Sequence, residues 1–201
     1  MINAQVIIIG AGPAGIACAT QLKRYNIESI IFEKENIGGL IKNANLIENY
    51  LGFPNGIRGK KFVKLIEKHI KTNDINIIYK NVEKLNYNDN TFLIETDKKS
   101  YSSEYLVIAS GTKPIIPENL TYKYNDLIFT DIYKIEEIKN STVAIVGAGD
   151  CAFDYAMNLC DDNKVIILNR SERIKAVQIL QDRVLYHINI NYLSNTIIQN
   201  I

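Results

Sequence analysis

The 201-residue chain has no tryptophan, only two histidines, three cysteines and four prolines, and no excess of either charge: 23 Lys and Arg face 22 Asp and Glu. A formal net charge of +1 argues against a footprint for nucleic acid spread over the domain, so no nucleic-acid partner is expected. Cys18, Cys151 and Cys160 are an odd set at spacings that fit neither a disulfide framework nor a zinc site. A reducing, cytoplasmic home is expected, and no metal. His69 and His187 stand far apart in the chain, and each is read as structural. No apolar run approaches the roughly 18 residues of a membrane span; Val6 to Ile9 stops at glycine after four residues and reads as a buried strand, not a leader or anchor. Eleven glycines and four prolines exclude a fibrous repeat.

What is present is 47% hydrophobic residues with no long polar tract, the makeup of a globular protein with a sizeable core. Residues 5 to 9 are continuously apolar and end at Gly10; from Pro13 to about Arg24 the spacing becomes helical, with Ala14, Cys18, Leu22 and Tyr25 on one stripe. Ser29 to Phe32 reads as a second strand ending at Glu33, which makes residues 5 to 33 one parallel βαβ unit. A loop through Gly38-Gly39 and the Leu51 to Gly56 turn follows. A helix from about Lys60 to Lys71 is expected to turn Phe62, Leu65, Ile66, His69 and Ile70 inward. Short strands are then expected over 75–79, 82–87, 91–96 and 105–109, a small antiparallel β insert returning to the main sheet. Gly111 to Pro117 reads as a linker. Beyond it the opening pattern repeats: strand 143–146, Gly147 and Gly149 in the turn, a helix from Asp150 to Cys160, and strand 165–168.

The chemistry is in the two turns. Gly10-Ala11-Gly12-Pro13-Ala14-Gly15 fits G-x-G-x-x-G, in which the first glycine makes a tight turn, the second lets a diphosphate approach the backbone, and the third lets helix and strand pack closely. Free amides and the helix dipole meet the phosphate charge. Glu33, at the end of the second strand, is placed to accept hydrogen bonds from ribose hydroxyls. Gly147-Ala148-Gly149-Asp150-Cys151-Ala152 is the second copy, with the permitted alanine in third place. Here Asn169 ends the strand instead of an acid, and Arg170, Arg173 and Lys175 follow. That favours a 2'-phosphate, hence NADPH, with NADH possible. The expected fold class is therefore α/β: two Rossmann-like dinucleotide-binding domains with parallel sheets and the small antiparallel insert, divided as 1–112 and 113–201.

These motifs, with Glu33 to Gly39-Leu40, Ile47 to Pro54, Val107 to Gly111 and the Gly147 turn, together resemble the low-molecular-weight thioredoxin reductase family. The resemblance implies an FAD domain interrupted by an NADPH domain. It implies that Gly10, Gly12, Pro13, Ala14, Gly15, Glu33, Lys34, Gly39, Leu40 and Asn49 lie near FAD, with Val82 near the adenine and Ala109, Ser110 and Gly111 at the crossover. Gly147, Gly149, Asp150, Cys151, Arg170 and Lys175 would serve NADPH. Tyr50 either abuts the flavin or packs under the Gly-Phe-Pro turn.

Two departures refine the expectation. Thioredoxin reductases carry C-x-x-C shortly before the second fingerprint, where this chain has Thr130-Asp131-Ile132-Tyr133, so no internal dithiol relay is expected. Gly149 to Ala156 is instead similar to the G-D-S-A-x-D-W-A segment of thioredoxin-reductase-like ferredoxin:NADP reductases. That similarity implies an FAD-dependent NAD(P)H oxidoreductase that hands electrons to an external redox protein of the ferredoxin or flavodoxin kind, or to a small molecule, and that assembles as a homodimer. Members also continue past the NADPH domain, so the resemblance implies that roughly a third of the fold lies beyond these residues, the chain being either a fragment or a shortened protein whose FAD site is open on one side. Two other readings stay open: a dinucleotide-binding module without turnover, and a disulfide reductase that uses Cys151 with an external thiol.

Overall fold

The computed structural model describes residues 2–116 and 125–199. The chain divides into two compact units, Met1–Lys42 with Lys60–Lys113, and Asn43–Gly59 with Pro114–Ile201. Pro117, the last residue of the expected linker, lies outside the described residues; Gly111 to Ile116 are exposed and without regular structure.

In the first unit, β1 (Ile2–Ile9), α1 (Pro13–Arg24), β2 (Ser29–Glu33), α2 (Gly59–Thr72) and β3 (Asn76–Tyr79) are followed by β4 (Val82–Asn88), β5 (Thr91–Thr96) and β6 (Ser100–Ile108). One six-stranded sheet runs in the order β3-β2-β1-β6-β5-β4. Its β3, β2, β1 and β6 are parallel, and β5 and β4 extend the same sheet antiparallel. Ile7 and Ile8, adjacent in β1, are both fully buried. A central parallel strand is covered on both faces, which explains its unbroken apolar run. Ile7, Phe32, Ile94 and Tyr101 form a core cluster, with Phe32 and Tyr101 meeting edge to face at 4.7 Å between ring centres. Each such burial is worth about 1.5–3 kcal/mol.

Several expectations are corrected here. On α1 the buried residues are Gly15, Ile16 and Ala19, whereas Ala14 is exposed and Tyr25 is 69% exposed at the helix end; the packed face joins one isoleucine to two small residues. On α2, Phe62 and Ile66 are buried, but Leu65 and His69 face outward. The last strand begins at Ser100 and not Tyr105, because its polar half is sandwiched in the ladder between β1 and β5, which buries Ser102 and Ser103.

In the second unit, β7 (Thr142–Val146), α3 (Asp150–Leu159), β8 (Lys164–Leu168), α4 (Gln178–Leu185) and β9 (Ile190–Leu193) follow one another, and β7-β8-β9 form a parallel three-stranded sheet. The sequence places a helix end near Tyr186, where α4 closes, but gives that helix no start, and it does not announce β9. Phe153, Ala156 and Leu159 of α3 pack with Val165, Ile167 and Val184. Segment 43–59, assigned from the sequence to the first domain, groups with this unit. Asp154 on α3 accepts the backbone N–H groups of Asn45 (2.7 Å) and Leu46 (3.3 Å), Arg183 on α4 donates two hydrogen bonds to Glu48 at 2.7 and 2.9 Å, and the Asn43 amide donates to Asp131 at 2.9 Å. Among the described residues no helix is long and apolar enough to cross a membrane.

Candidate functional site

Each unit contains one strand-to-helix elbow, and the two are built from the same hydrogen bonds. In the first, Gly10 N–H donates to the Phe32 carbonyl (2.7 Å), Ile16 N–H to the Gly12 carbonyl (3.1 Å), and Gly38 N–H to the Ala11 carbonyl (2.9 Å). In the second, Gly147 N–H donates to the Leu168 carbonyl (2.9 Å), Phe153 N–H to the Gly149 carbonyl (3.2 Å), and Lys175 N–H to the Ala148 carbonyl (2.8 Å). The duplication seen in sequence is thus a duplication of backbone geometry.

The glycines are required for distinct reasons. Gly10 has φ +106°, and a Cβ there would lie 2.3 Å from the Ala109 carbonyl oxygen and 3.2 Å from Ser110 Cα; this also places Ala109 and Ser110 beside the first elbow, with Gly111 next in the chain. A Cβ on Gly15 would lie 2.0 Å from the Gly10 carbonyl oxygen. Gly12 differs: a Cβ would meet nothing within 4 Å, and the same holds at Gly147 and Gly149. Gly39 closes over the first elbow, its Cβ position 3.8 Å from Gly12 Cα. No side chain caps the start of α1 at Gly12 or of α3 at Gly149. Two uncapped helix starts, each with open space above its second glycine, fit the diphosphate of a dinucleotide.

Pro13 occupies the first turn of α1, where a missing N–H costs nothing; Ala14 is exposed. Glu33 is buried, one carboxylate oxygen accepting the Ala11 N–H and the other the Glu35 N–H, both at 2.8 Å. Each oxygen keeps a lone pair for a hydroxyl ligand. Lys34 is exposed and pairs with Glu35 at 3.4 Å, Leu40 is exposed, and Val82 packs on the core cluster below. Asn49 is exposed on segment 43–59 and belongs to the second unit, so it is not gathered with these residues inside the first. Tyr50 lies with its ring centre 6.2 Å from that of Phe53.

At the second elbow, Asp150 accepts the Val177 N–H at 2.8 Å, which with the Lys175 bond fixes the 175–177 backbone against the turn. Arg170, Arg173 and Lys175 are exposed, and Cys151 is exposed in the first turn of α3. The buried Asn169 is spent on structure: its amide donates to the Arg173 carbonyl (3.1 Å) and to the Tyr192 hydroxyl (2.8 Å), holding the cation-bearing loop. Ala152 is tolerated as the third residue of this copy, its methyl buried in the core. Burial pushes the Tyr155 phenol up to about 12 and raises the Asp154 carboxyl. Where a dithiol would stand, Ile132 is instead packed into the core. Sequence reasoning did not foresee that Cys160 and His187 meet, Sγ to Nε2 at 3.5 Å; 27 residues apart, they gave no local signal.

Two parallel-sheet units with paired elbows define an α/β protein of the two-domain, Rossmann-like dinucleotide-binding class. Residues 4–201 match the pyridine nucleotide-disulphide oxidoreductase family, and the chain belongs to it. It is 28% identical over 98% of its length to a 34.2 kDa protein of the Clostridium pasteurianum rubredoxin operon. It is 29% identical over 99% of its length to a thioredoxin reductase of Buchnera aphidicola. It covers 65% of each. A crystal structure of Lactococcus lactis thioredoxin reductase in its FR conformation superposes with a TM-score of 0.86 at 24% identity, covering 96% of this chain and 65% of that one; this likeness is one of fold. The resemblance to low-molecular-weight thioredoxin reductases is thereby established.

Proposed function

We propose that the chain carries the FAD-binding and NADPH-binding parts of a thioredoxin-reductase-like flavoprotein that works without an internal dithiol. The observation that carries this is the pair of matching elbows with uncapped helices and open space beyond Gly12, Gly147 and Gly149. FAD takes the first: Gly10 to Gly15 and Gly39 receive the diphosphate, Glu33 the ribose, Val82 the adenine side, with Lys34, Leu40 and Ala109 to Gly111 around the remainder. NADPH takes the second: Gly147, Gly149, Asp150 and Cys151 form the turn, and Arg170 and Lys175 meet the 2'-phosphate. When bound, the nicotinamide supplies hydride and the flavin converts it to single electrons. The chain's own residues bind, orient and neutralise charge; none is assigned as acid or base.

The acceptor we infer is an external redox protein of the ferredoxin or flavodoxin kind. Residues 130–133 bear no thiol, and one relative is named for its place in a rubredoxin operon. A second reading, disulfide reduction, is favoured by relatives named thioredoxin reductase and by the exposure of Cys151. A homodimer is inferred from the same likeness. The purified chain should be yellow, with a flavin band that NADPH bleaches without oxygen and that ferredoxin, not thioredoxin, restores. Restoration by thioredoxin overturns the acceptor assignment. Colourless protein that still binds NADPH overturns the enzyme and leaves a binding module.

A further inference from the structure

We propose that Cys160, Asp161 and His187 form a binding site for a thiophilic divalent cation of the zinc class. The site lies at the opposite end of α3 from the second elbow, about 15 Å along a ten-residue helix.

Cys160 caps the C-terminus of α3, Asp161 follows it, and His187 stands in the turn between α4 and β9. One ligand atom from each lies within 4.8 Å of the other two. With metal–sulfur near 2.3 Å and metal–nitrogen near 2.0 Å at a tetrahedral angle, the sulfur-to-nitrogen edge of a zinc site is about 3.5 Å. Sγ and Nε2 are already 3.5 Å apart. The carboxylate has to close by roughly 1 Å to reach the same kind of edge; Asp161 is exposed and has no ion pair among the described residues, so it is free to turn. Asn189 braces the two segments, its amide donating to the Cys160 carbonyl at 2.9 Å. Thiolate with imidazole selects zinc or cobalt over magnesium or calcium.

Electrostatics point the same way. The last turn of α3 holds no basic residue, yet Asp161 and Asp162 follow it directly, adding negative charge to the negative end of the helix dipole. Lys139 offsets Asp162 at 3.1 Å. A cation is what would offset Asp161.

The protons balance. Without metal the buried thiol stays protonated, raised by burial and by Asp161, with Met157 carbonyl 3.5 Å from its sulfur. The Asn189 N–H donates to His187 Nδ1 at 3.3 Å, which puts the neutral ring's proton on Nε2. On coordination the sulfur–metal bond replaces S–H and that proton goes to solvent. Nε2 also gives up its proton while Nδ1 takes one from solvent, displacing the Asn189 contact. One proton leaves per cation, and nothing is oxidised or reduced.

The test is a Co2+ titration of the chelator-treated 201-residue chain, which needs neither flavin nor NADPH. One equivalent should produce a near-ultraviolet thiolate-to-cobalt band and visible bands of four-coordinate intensity. Zn2+ should remove both and Mg2+ neither. Cys160→Ser should lose the thiolate band and Cys18→Ser keep it. Asp161→Asn and His187→Gln alter less buried side chains and should weaken Co2+ by about tenfold or more; they carry the test if Cys160→Ser does not fold. A parent chain without the thiolate band overturns the site. So does a band that survives Cys160→Ser, or unchanged affinity in both other variants.

Discussion

Gly12 and Gly15 stand three residues apart on one turn, and their surroundings predict opposite phenotypes. At Gly15 an added methyl would sit 2.0 Å from the Gly10 carbonyl oxygen, against about 3.5 Å for an ordinary contact. The obstacle is backbone, so the elbow itself must open. Overpacking of this kind costs up to about 3 kcal/mol, and alanine returns about 1 kcal/mol in helix propensity, leaving Gly15→Ala about 2 kcal/mol less stable. For a unit of this size that lowers Tm by roughly 10 °C. At Gly12 a Cβ meets nothing, and φ −73°, ψ 179° is extended backbone open to a branched residue. Gly12→Val should therefore cost under about 1 kcal/mol at the N-cap while filling the space a diphosphate needs. Its FAD affinity should fall at least about a hundredfold, or 2.7 kcal/mol. Thermal unfolding followed by circular dichroism reads the first quantity, and FAD fluorescence quenching the second. If Gly12→Val keeps its flavin, or loses as much stability as Gly15→Ala, the argument from open space is wrong.

Three further outcomes are expected. Arg170→Ala combined with Lys175→Ala should weaken NADPH by roughly tenfold more than NADH, since the Lys175 backbone bond survives truncation; equal losses in a binding titration would remove the 2'-phosphate assignment. Cys151→Ser should leave NADPH-driven reduction of a ferredoxin-type acceptor intact, and its abolition in a steady-state assay would favour the disulfide reading. Arg183 holds the Glu48 carboxyl below its ordinary range, so the pair stabilises at pH above the ordinary glutamate value, about 4.3, and that contribution is lost as pH falls through the depressed value. The pair is partly exposed, so the effect is a few tenths of a kcal/mol, about the usual surface value. Glu48→Gln should lower Tm slightly at neutral pH and converge with the parent in acid; a gap that persists in acid would mean the glutamate acts through packing. Asp154, raised by burial, contributes the opposite slope, losing stability as pH rises through its folded value.

The elbows were legible because their chemistry is local: glycine spacing, an apolar strand before and a helical period after are all read within a few residues. The strand-end acid and its replacement by Asn169 were legible for the same reason. The buried face of α1 was misread because Tyr25, an apolar residue by type, sits at a helix end where nothing covers it, while Gly15, Ile16 and Ala19 form the contact. The start of β6 was missed because Ser-Tyr-Ser-Ser-Glu has no strand composition; two neighbouring ladders impose the conformation. The helix from Gln178 showed only its end, near Tyr186, and the strand at Ile190 was passed over for want of a strong period. Pairings such as Asn43 with Asp131, Arg183 with Glu48, and Cys160 with His187 depend on tertiary closure and leave no trace along the chain.

Because residues 43–59 are anchored on Asp154 and Arg183, the backbone passes from one unit to the other three times, at 42/43, 59/60 and 113/114. Nicking the peptide chain once near residue 114 would not release two halves. The fragments would stay tethered by a loop embedded in the neighbouring fold and would copurify until denatured. Neither unit can therefore be excised for separate expression by truncation at one point; each calls for a splice that either grafts this loop or bridges the gap it leaves.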